Sequence, residues 1–252
     1  GSPTPGHPEL DVARGVENTS GPLGQGHTMA VGAAIAERFL AARFGELFAH
    51  KTYAFISDGG IQEEISQGAG RLAGHLGLNN LIMFYDSNDI QLSTETSAVS
   101  TEDTAAKYMA WGWEVVTIDG NDHDQIRKAL SQARESKDKP FLIIGRTIMG
   151  KGLIDNEGIS FERKISTHGM PVSDAGASFE KSLAGLGGNL SDPFTIFPAV
   201  KEYYAAVIEE KRRYATDWKR QKKEWAAENS DSERKLNLFY SGDIPAINFE
   251  SI

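Results

Sequence analysis

The chain contains no cysteine, which excludes disulfides, zinc–thiolate centres and thiol nucleophiles at once. It also lacks any apolar run near the roughly 20 residues a membrane-spanning helix needs. No internal repeat and no low-complexity segment is present. A secretory leader is not evident at the start, so a soluble, cytoplasmic chain with no membrane partner is expected. Cations are in deficit, 26 Lys and Arg against 35 Asp and Glu, and the net charge of −9 argues against a general nucleic-acid binder. With 252 residues, 40% of them apolar, the chain can bury one large core or two small ones. The opening GSPTPGHPEL has no Met and reads as the interior of a longer protein, with Gly1-Ser2 either native or the remnant of a tag.

Residues 1–23 are rich in Gly, Pro and Ser and should be loop. A helix is predicted over 24–44, with small residues (Ala30, Gly32, Ala33, Ala34) on a face suited to tight packing. A β/α alternation follows. Strands are predicted at 52–57, 80–86, 113–118 and 140–146, and helices at 62–76, 102–111 and 122–136. Most of these strands are near-continuous apolar runs, as a parallel sheet covered on both faces requires. The fold class is therefore α/β, a doubly wound, mostly parallel sheet with helices on both faces. Residues 150–193 are Gly-rich and irregular, and a loop of that length is usually functional or mobile. Residues 196–229 should form a charged helix with an aromatic stripe (Tyr203, Tyr204, Trp218, Trp225), and the last twenty residues a connector.

Two of the predicted strands end in small polar clusters, SDGG (57–60) and DSND (86–89). Ligands of open parallel sheets sit at the carboxyl ends of strands. Asp58 and Asn88 could there share one Mg²⁺, a hard cation wanting a near-octahedral shell of oxygens. A main-chain carbonyl near Ile90, two diphosphate oxygens and a water would complete six ligands. Gly59 allows close backbone approach to phosphate, and the helix beginning near Ile61 directs N–H groups at it. The spacing alone fits equally a tight turn at Asp58-Gly59 and an ordinary loop residue at Asn88.

Other candidates carry less by themselves. GPLGQG (21–26) can cradle a ligand or simply turn a corner. His7 and His168 lie in loops stiffened by Gly and Pro and could bond phosphate or sugar hydroxyls. His75 is expected to be a buried structural histidine, and His27, His50 and His123 incidental. Glu63 and Glu64 start a helix, where the dipole favours acids, and Glu63 could face an interface. The basic run 211–225 is expected to be a solvated helix face.

TPGHPE, TSGPLGQG, SDGGIQEE, LAGHLGLNNLI, YDSNDI, GWEVVTIDGND and STHGMP occur in that order. Together they resemble the transketolase family, over nearly the whole chain. The resemblance implies thiamine diphosphate held through Mg²⁺, with Ca²⁺ or Mn²⁺ as substitutes, and a place in the pentose phosphate pathway. It implies transfer of a two-carbon ketol unit from a ketose phosphate to an aldose phosphate. Residues 1–195 would be the diphosphate-type domain without its first part, and 196–252 a helical connector towards a pyrimidine-type domain. Asp58, Asn88 and the Ile90 carbonyl match metal ligands, and Gly59 a backbone donor to the diphosphate. Gly21 and Leu23 match the loop along the cofactor, and Leu92 and Met149 the apolar contacts of the thiazolium ring. His168 matches a histidine beside diphosphate and donor substrate, His7 one near the sugar hydroxyls, and Glu63 an acid near a homodimer interface. The glutamate that activates the aminopyrimidine belongs to a second domain, expected beyond residue 252. Ser57, Gly68, Ser93-Thr94 and His27 depart from the family pattern without removing a metal ligand. A fragment of a transketolase, inactive alone, is the reading preferred. A split enzyme, a deoxyxylulose phosphate synthase-like enzyme and a non-catalytic module with the same fold are the alternatives.

Overall fold

A computed structural model describes residues 9–242; His7 lies outside them. The described residues form two compact units, one within 9–38 and 50–194, the other within 39–49 and 195–242.

The first unit is built on four parallel strands, β1 (Thr52–Ser57), β2 (Leu81–Ser87), β3 (Glu114–Asp119) and β4 (Phe141–Arg146), in the order β1-β2-β4-β3. The helices are α1 (Gln25–Phe44), α2 (Asp58–Gln62), α3 (Glu64–His75), α4 (Thr104–Ala110), α5 (His123–Glu135), α6 (Phe179–Gly185), α7 (Pro198–Glu228) and α8 (Ser230–Ser241). Strand side chains alternate between two apolar layers, as the period of two demands. Leu81, Met83 and Tyr85 of β2 pack with Ala30, Val31 and Ala34 of α1, Ala69 and Ala73 of α3, and Tyr108 of α4. Ile82 of β2 turns the other way, joining Phe141 and Ile143 of β4, Ile118 of β3, and Ala129 and Ala133 of α5. Helices thus cover both faces, and the sheet is the doubly wound α/β kind that the apolar runs predicted. β2 and β4 lie inside the sheet and are almost wholly buried, whereas β1, at an edge, leaves Phe55 83% exposed.

Two boundaries differ from the sequence expectation. The helix predicted over 62–76 is α3, Glu64–His75, and a separate short helix, α2, precedes it, with Glu63 extended at φ −61, ψ 133 between the two. The short α2 starts immediately at the end of β1, with the Ser57 hydroxyl accepting from Gly60 N–H at 3.3 Å. The Gly-rich stretch also contains one helix, α6, capped by Ser178.

In the second unit, Phe44, Phe48 and Leu236 are buried together, with Trp225 edge-on to Phe48 at 4.9 Å between centroids. The Trp218 indole N–H donates to the Leu47 carbonyl at 3.1 Å. The last twenty residues are therefore not all connector: α8 runs to Ser241 because Leu236 has a core to enter. The basic run is a solvated face, where Arg220 bonds Asp217 at 2.6 Å and Glu224 at 2.8 Å, one turn away on either side.

Gly74 of α3 marks the closest approach in the first unit. A Cβ there would lie 1.9 Å from the Trp111 carbonyl oxygen, which is rigid backbone. Gly74→Ala is expected to destabilise the protein by about 1–3 kcal/mol through overpacking. Urea unfolding should show a lower midpoint with an unchanged slope.

Candidate functional site

The register pairs Ser57 of β1 with Asp86 of β2. One residue further, Asp58 stands abreast of the turn that leaves β2. Its side chain is 2% exposed and has no cationic partner among the described ion pairs. Three donors hold it instead. Tyr85 Oη donates to Oδ1 at 2.6 Å, and the N–H groups of Asn88 and Asp89 donate to Oδ2 at 2.9 and 3.1 Å. Burial, and next the bond to Asp58, push the Tyr85 hydroxyl well above its usual range, so it remains a donor. The turn is stiffened further by Asn88 Oδ1, which accepts from Ile90 N–H at 2.9 Å, and by Asp89 in the left-handed region at φ 65.

This donor set suits a divalent cation. An ionised carboxylate offers about four lone-pair sites, of which three are occupied here. An amide oxygen offers two, and Asn88 has used one. The Ile90 carbonyl accepts no hydrogen bond although the residue is buried. A buried carboxylate without a counter-charge is costly, and a cation would remove that cost. Among the described residues there is no cluster of three or more His, Cys, Asp or Glu, so the shell would be mixed, from carboxylate, amide, carbonyl and ligand oxygens.

Beside this turn lies a cleft of about 590 Å³, walled by Leu23, Gly59, Glu63, Asn88, Ile90, Leu92, Met149 and His168. The sequence candidates from five separate segments thus line one cleft. Asp58 does not line it and instead borders a neighbouring cleft with Tyr85 and Arg146. A Cβ on Gly59 would press against Leu23 Cδ1 at 3.4 Å, so the GPLGQG loop fits closely over that position. His168 presents a buried Nδ1 with no hydrogen-bond partner, an orphan that a ligand would satisfy. Gly21 is half-buried in the loop before α1 and lines none of these clefts.

Residues the sequence reading passed over also matter. Tyr85, read only as part of an apolar run, anchors Asp58. Gln62 donates to the Asp58 carbonyl and to Gln91 Oε1, both at 2.8 Å, tying α2 to the segment after the turn. Two histidines were misjudged. His75 is exposed, because it falls on the solvent side of the last turn of α3. His27 is only 5% exposed, with neither ring nitrogen bonded, because α1 turns it inward behind the GPLGQG loop. His50 and His123 are exposed, as incidental histidines would be.

The family described as "Transketolase, thiamine diphosphate binding domain" matches residues 1–245. A transketolase of Geobacillus stearothermophilus is 36% identical over 251 residues, covering 97% of this chain and 36% of that protein. Transketolase 2 of Escherichia coli K12 is 44% identical over 189 residues, covering 73% of this chain and 28% of the relative. The solved structure "Transketolase from Leishmania mexicana" superposes with a TM-score of 0.87 at 33% identity, over 98% of this chain and 36% of that one. The chain belongs to the transketolase thiamine diphosphate-binding domain family and spans about a third or less of the length of these relatives.

Burial lowers the His27 imidazole from 6.5 to about 4. Its folded form stays neutral where the unfolded chain takes up a proton, so the associated stability is complete above pH 6.5 and is lost as pH falls towards 4. The loss should amount to at most about 3 kcal/mol. Urea titrations at pH 7 and pH 4.5 should show a smaller acid loss in His27→Leu than in the wild type.

Proposed function

We propose that this chain is the part of a transketolase that anchors the diphosphate end of thiamine diphosphate through a divalent cation, Mg²⁺ by preference and Ca²⁺ or Mn²⁺ as substitutes. The reaction is transfer of a two-carbon ketol unit from a ketose phosphate to an aldose phosphate. The observation that supports this reading is the buried Asp58 carboxylate, in no ion pair among the described residues, holding the Asn88 turn beside a ligand-sized cleft.

When bound, the cofactor supplies the carbanion and electron sink that sugar carbon–carbon cleavage needs. The chain's own residues hold and orient. Asp58, Asn88 and the Ile90 carbonyl would take the cation, and Gly59 N–H the diphosphate. Leu92 and Met149 offer apolar contact to a ring, with Leu23 and Gly21 in the loop alongside. His168 would donate to the diphosphate or to a substrate oxygen, and His7 would bind substrate hydroxyls. Glu63, exposed at the cleft rim, is placed to meet a partner surface. The carboxylate that activates the aminopyrimidine would come from another domain, across a homodimer interface. A cytoplasmic setting in the pentose phosphate pathway accords with this chemistry. No helix among the described residues is long and apolar enough to cross a membrane.

Calorimetric titration of thiamine diphosphate with Mg²⁺ into the full-length protein tests the anchor. Asn88→Ala should weaken binding by at least about tenfold, the scale seen when support of a metal is lost. Chelation should abolish binding, and Mn²⁺ should restore it. Binding unaffected by both Asn88→Ala and Asp58→Asn, in folded variants, would refute the proposal.

A further inference from the structure

The Gln62 side chain stands between the two halves of the anchor. Asn88 and Ile90 line the cofactor cleft, whereas Asp58 lines the neighbouring one, of about 310 Å³. Among the described residues Gln62 alone lines both. Its carboxamide orientation is fixed. Nε2 gives its two hydrogens to two oxygens, the Asp58 carbonyl and Gln91 Oε1, each at 2.8 Å. Turned over, the group would set its own oxygen against both. Gln67 Nε2 braces the same residue from α3, donating to the Gln62 carbonyl at 3.1 Å across the break between the two helices.

Gln91 belongs to a tight loop. Residues 90–95 are closed by an antiparallel bridge between Ile90 and Glu95. Gln91 N–H donates to the Thr94 carbonyl and Thr96 N–H to the Asp89 carbonyl, both at 3.0 Å. This loop carries the Ile90 carbonyl, assigned above to the cation, and Leu92, assigned to the ring. Leu92 is mostly exposed, so burial does not hold the tip. Among the described residues, the bond from Gln62 is the only hydrogen bond that joins residues 90–95 to any of the helices α1–α8 or to the sheet. Asp58 fixes the entry to the loop, through the N–H groups of Asn88 and Asp89. Gln62 fixes the loop beyond Ile90.

We propose that Gln62 is a positioning residue of the cation–diphosphate anchor, a role that rests on the cofactor reading above. Its carboxamide sets the separation between Gly59 N–H on α2 and the Ile90 carbonyl and Leu92 on the loop. A ligand made of cation, diphosphate and ring touches both sides of that separation at once. With the strut in place the loop is ordered before the ligand arrives. Without it, binding must supply the ordering, and affinity falls. Gln62 touches neither cofactor nor cation in this role and acts through Gln91.

The test uses the full-length protein and two readouts. Calorimetric titration with thiamine diphosphate and Mg²⁺ compares wild type, Gln62→Leu, Gln91→Leu and the double variant. Hydrogen exchange compares the same proteins without ligand. Both single variants should weaken binding, Gln62→Leu by about tenfold, the scale of lost outer-shell support. The double variant should bind no more weakly than Gln62→Leu, because Gln91 has lost its partner once Gln62 is gone. Exchange should quicken over 90–96 and stay as in wild type along β2 and β4. Gln91→Leu breaks the strut from the loop side and keeps the test decisive if Gln62→Leu folds poorly. Wild-type affinity in folded Gln62→Leu or Gln91→Leu, or unchanged exchange over 90–96, would overturn the proposal and leave the anchor standing. So would losses that multiply in the double variant. A wild type that binds no thiamine diphosphate with Mg²⁺ would overturn the anchor itself, and the role of Gln62 with it.

Discussion

One hydrogen-bonded carboxylate joins the exits of two strands. Asp58 stands at the first residue after β1 and bonds the two amides that follow β2, while Tyr85 reaches it from inside β2. A carboxylate buried to this degree is unfavourable unless its lone pairs are filled. Three are filled by groups whose positions the sheet register fixes. Removing the carboxylate would release the turn that shapes the clefts at this end of the sheet.

The register itself follows from the alternation of side chains. A slip by one residue would carry Leu81, Met83 and Tyr85 of β2 from the layer beneath α1, α3 and α4 to the opposite layer. Tyr85 would then point away from Asp58, and the clamp would be lost with the core. Packing far from the cleft thus decides its geometry. The close contact of Gly74 with Trp111 and the bond from the Trp113 indole to the Gly70 carbonyl at 2.8 Å belong to the same constraint, since they seat α3 against the elements that follow it.

The parts legible in the sequence were those governed by period and order. Four apolar runs separated by amphipathic stretches gave a parallel α/β sheet, and motif order located the residues that meet around the cleft. What escaped depended on facing surfaces. Glu63 is a good helix former, and nothing local signals that α2 stops before it. His27 looked incidental because its burial is decided by the loop before α1. His75 looked buried because its helix is amphipathic, yet it lies past the buried stripe. Leu236 revealed no core in the sequence because its partners, Phe44 and Phe48, are nearly two hundred positions away. The signal that could have exposed Tyr85 was chemical: a hydroxyl in an almost wholly buried strand must find a partner, and Asp58 directly follows the adjacent strand.

The apolar residues around the cofactor cleft carry a last inference about what it holds. Leu23 and Leu92 are 55% and 77% exposed, and both line the same cleft as Gly59 and His168. A diphosphate alone would gain nothing from them. A ligand with an anionic tail and an apolar ring would use both parts, the tail over the Asn88 turn and the ring against the leucines. Covering those side chains would release water at about 25 cal/mol for each Å² of apolar surface removed from solvent. Charge at one end and exposed hydrocarbon at the other would suit an amphipathic ligand, and the thiamine diphosphate that names the matched domain family has both parts.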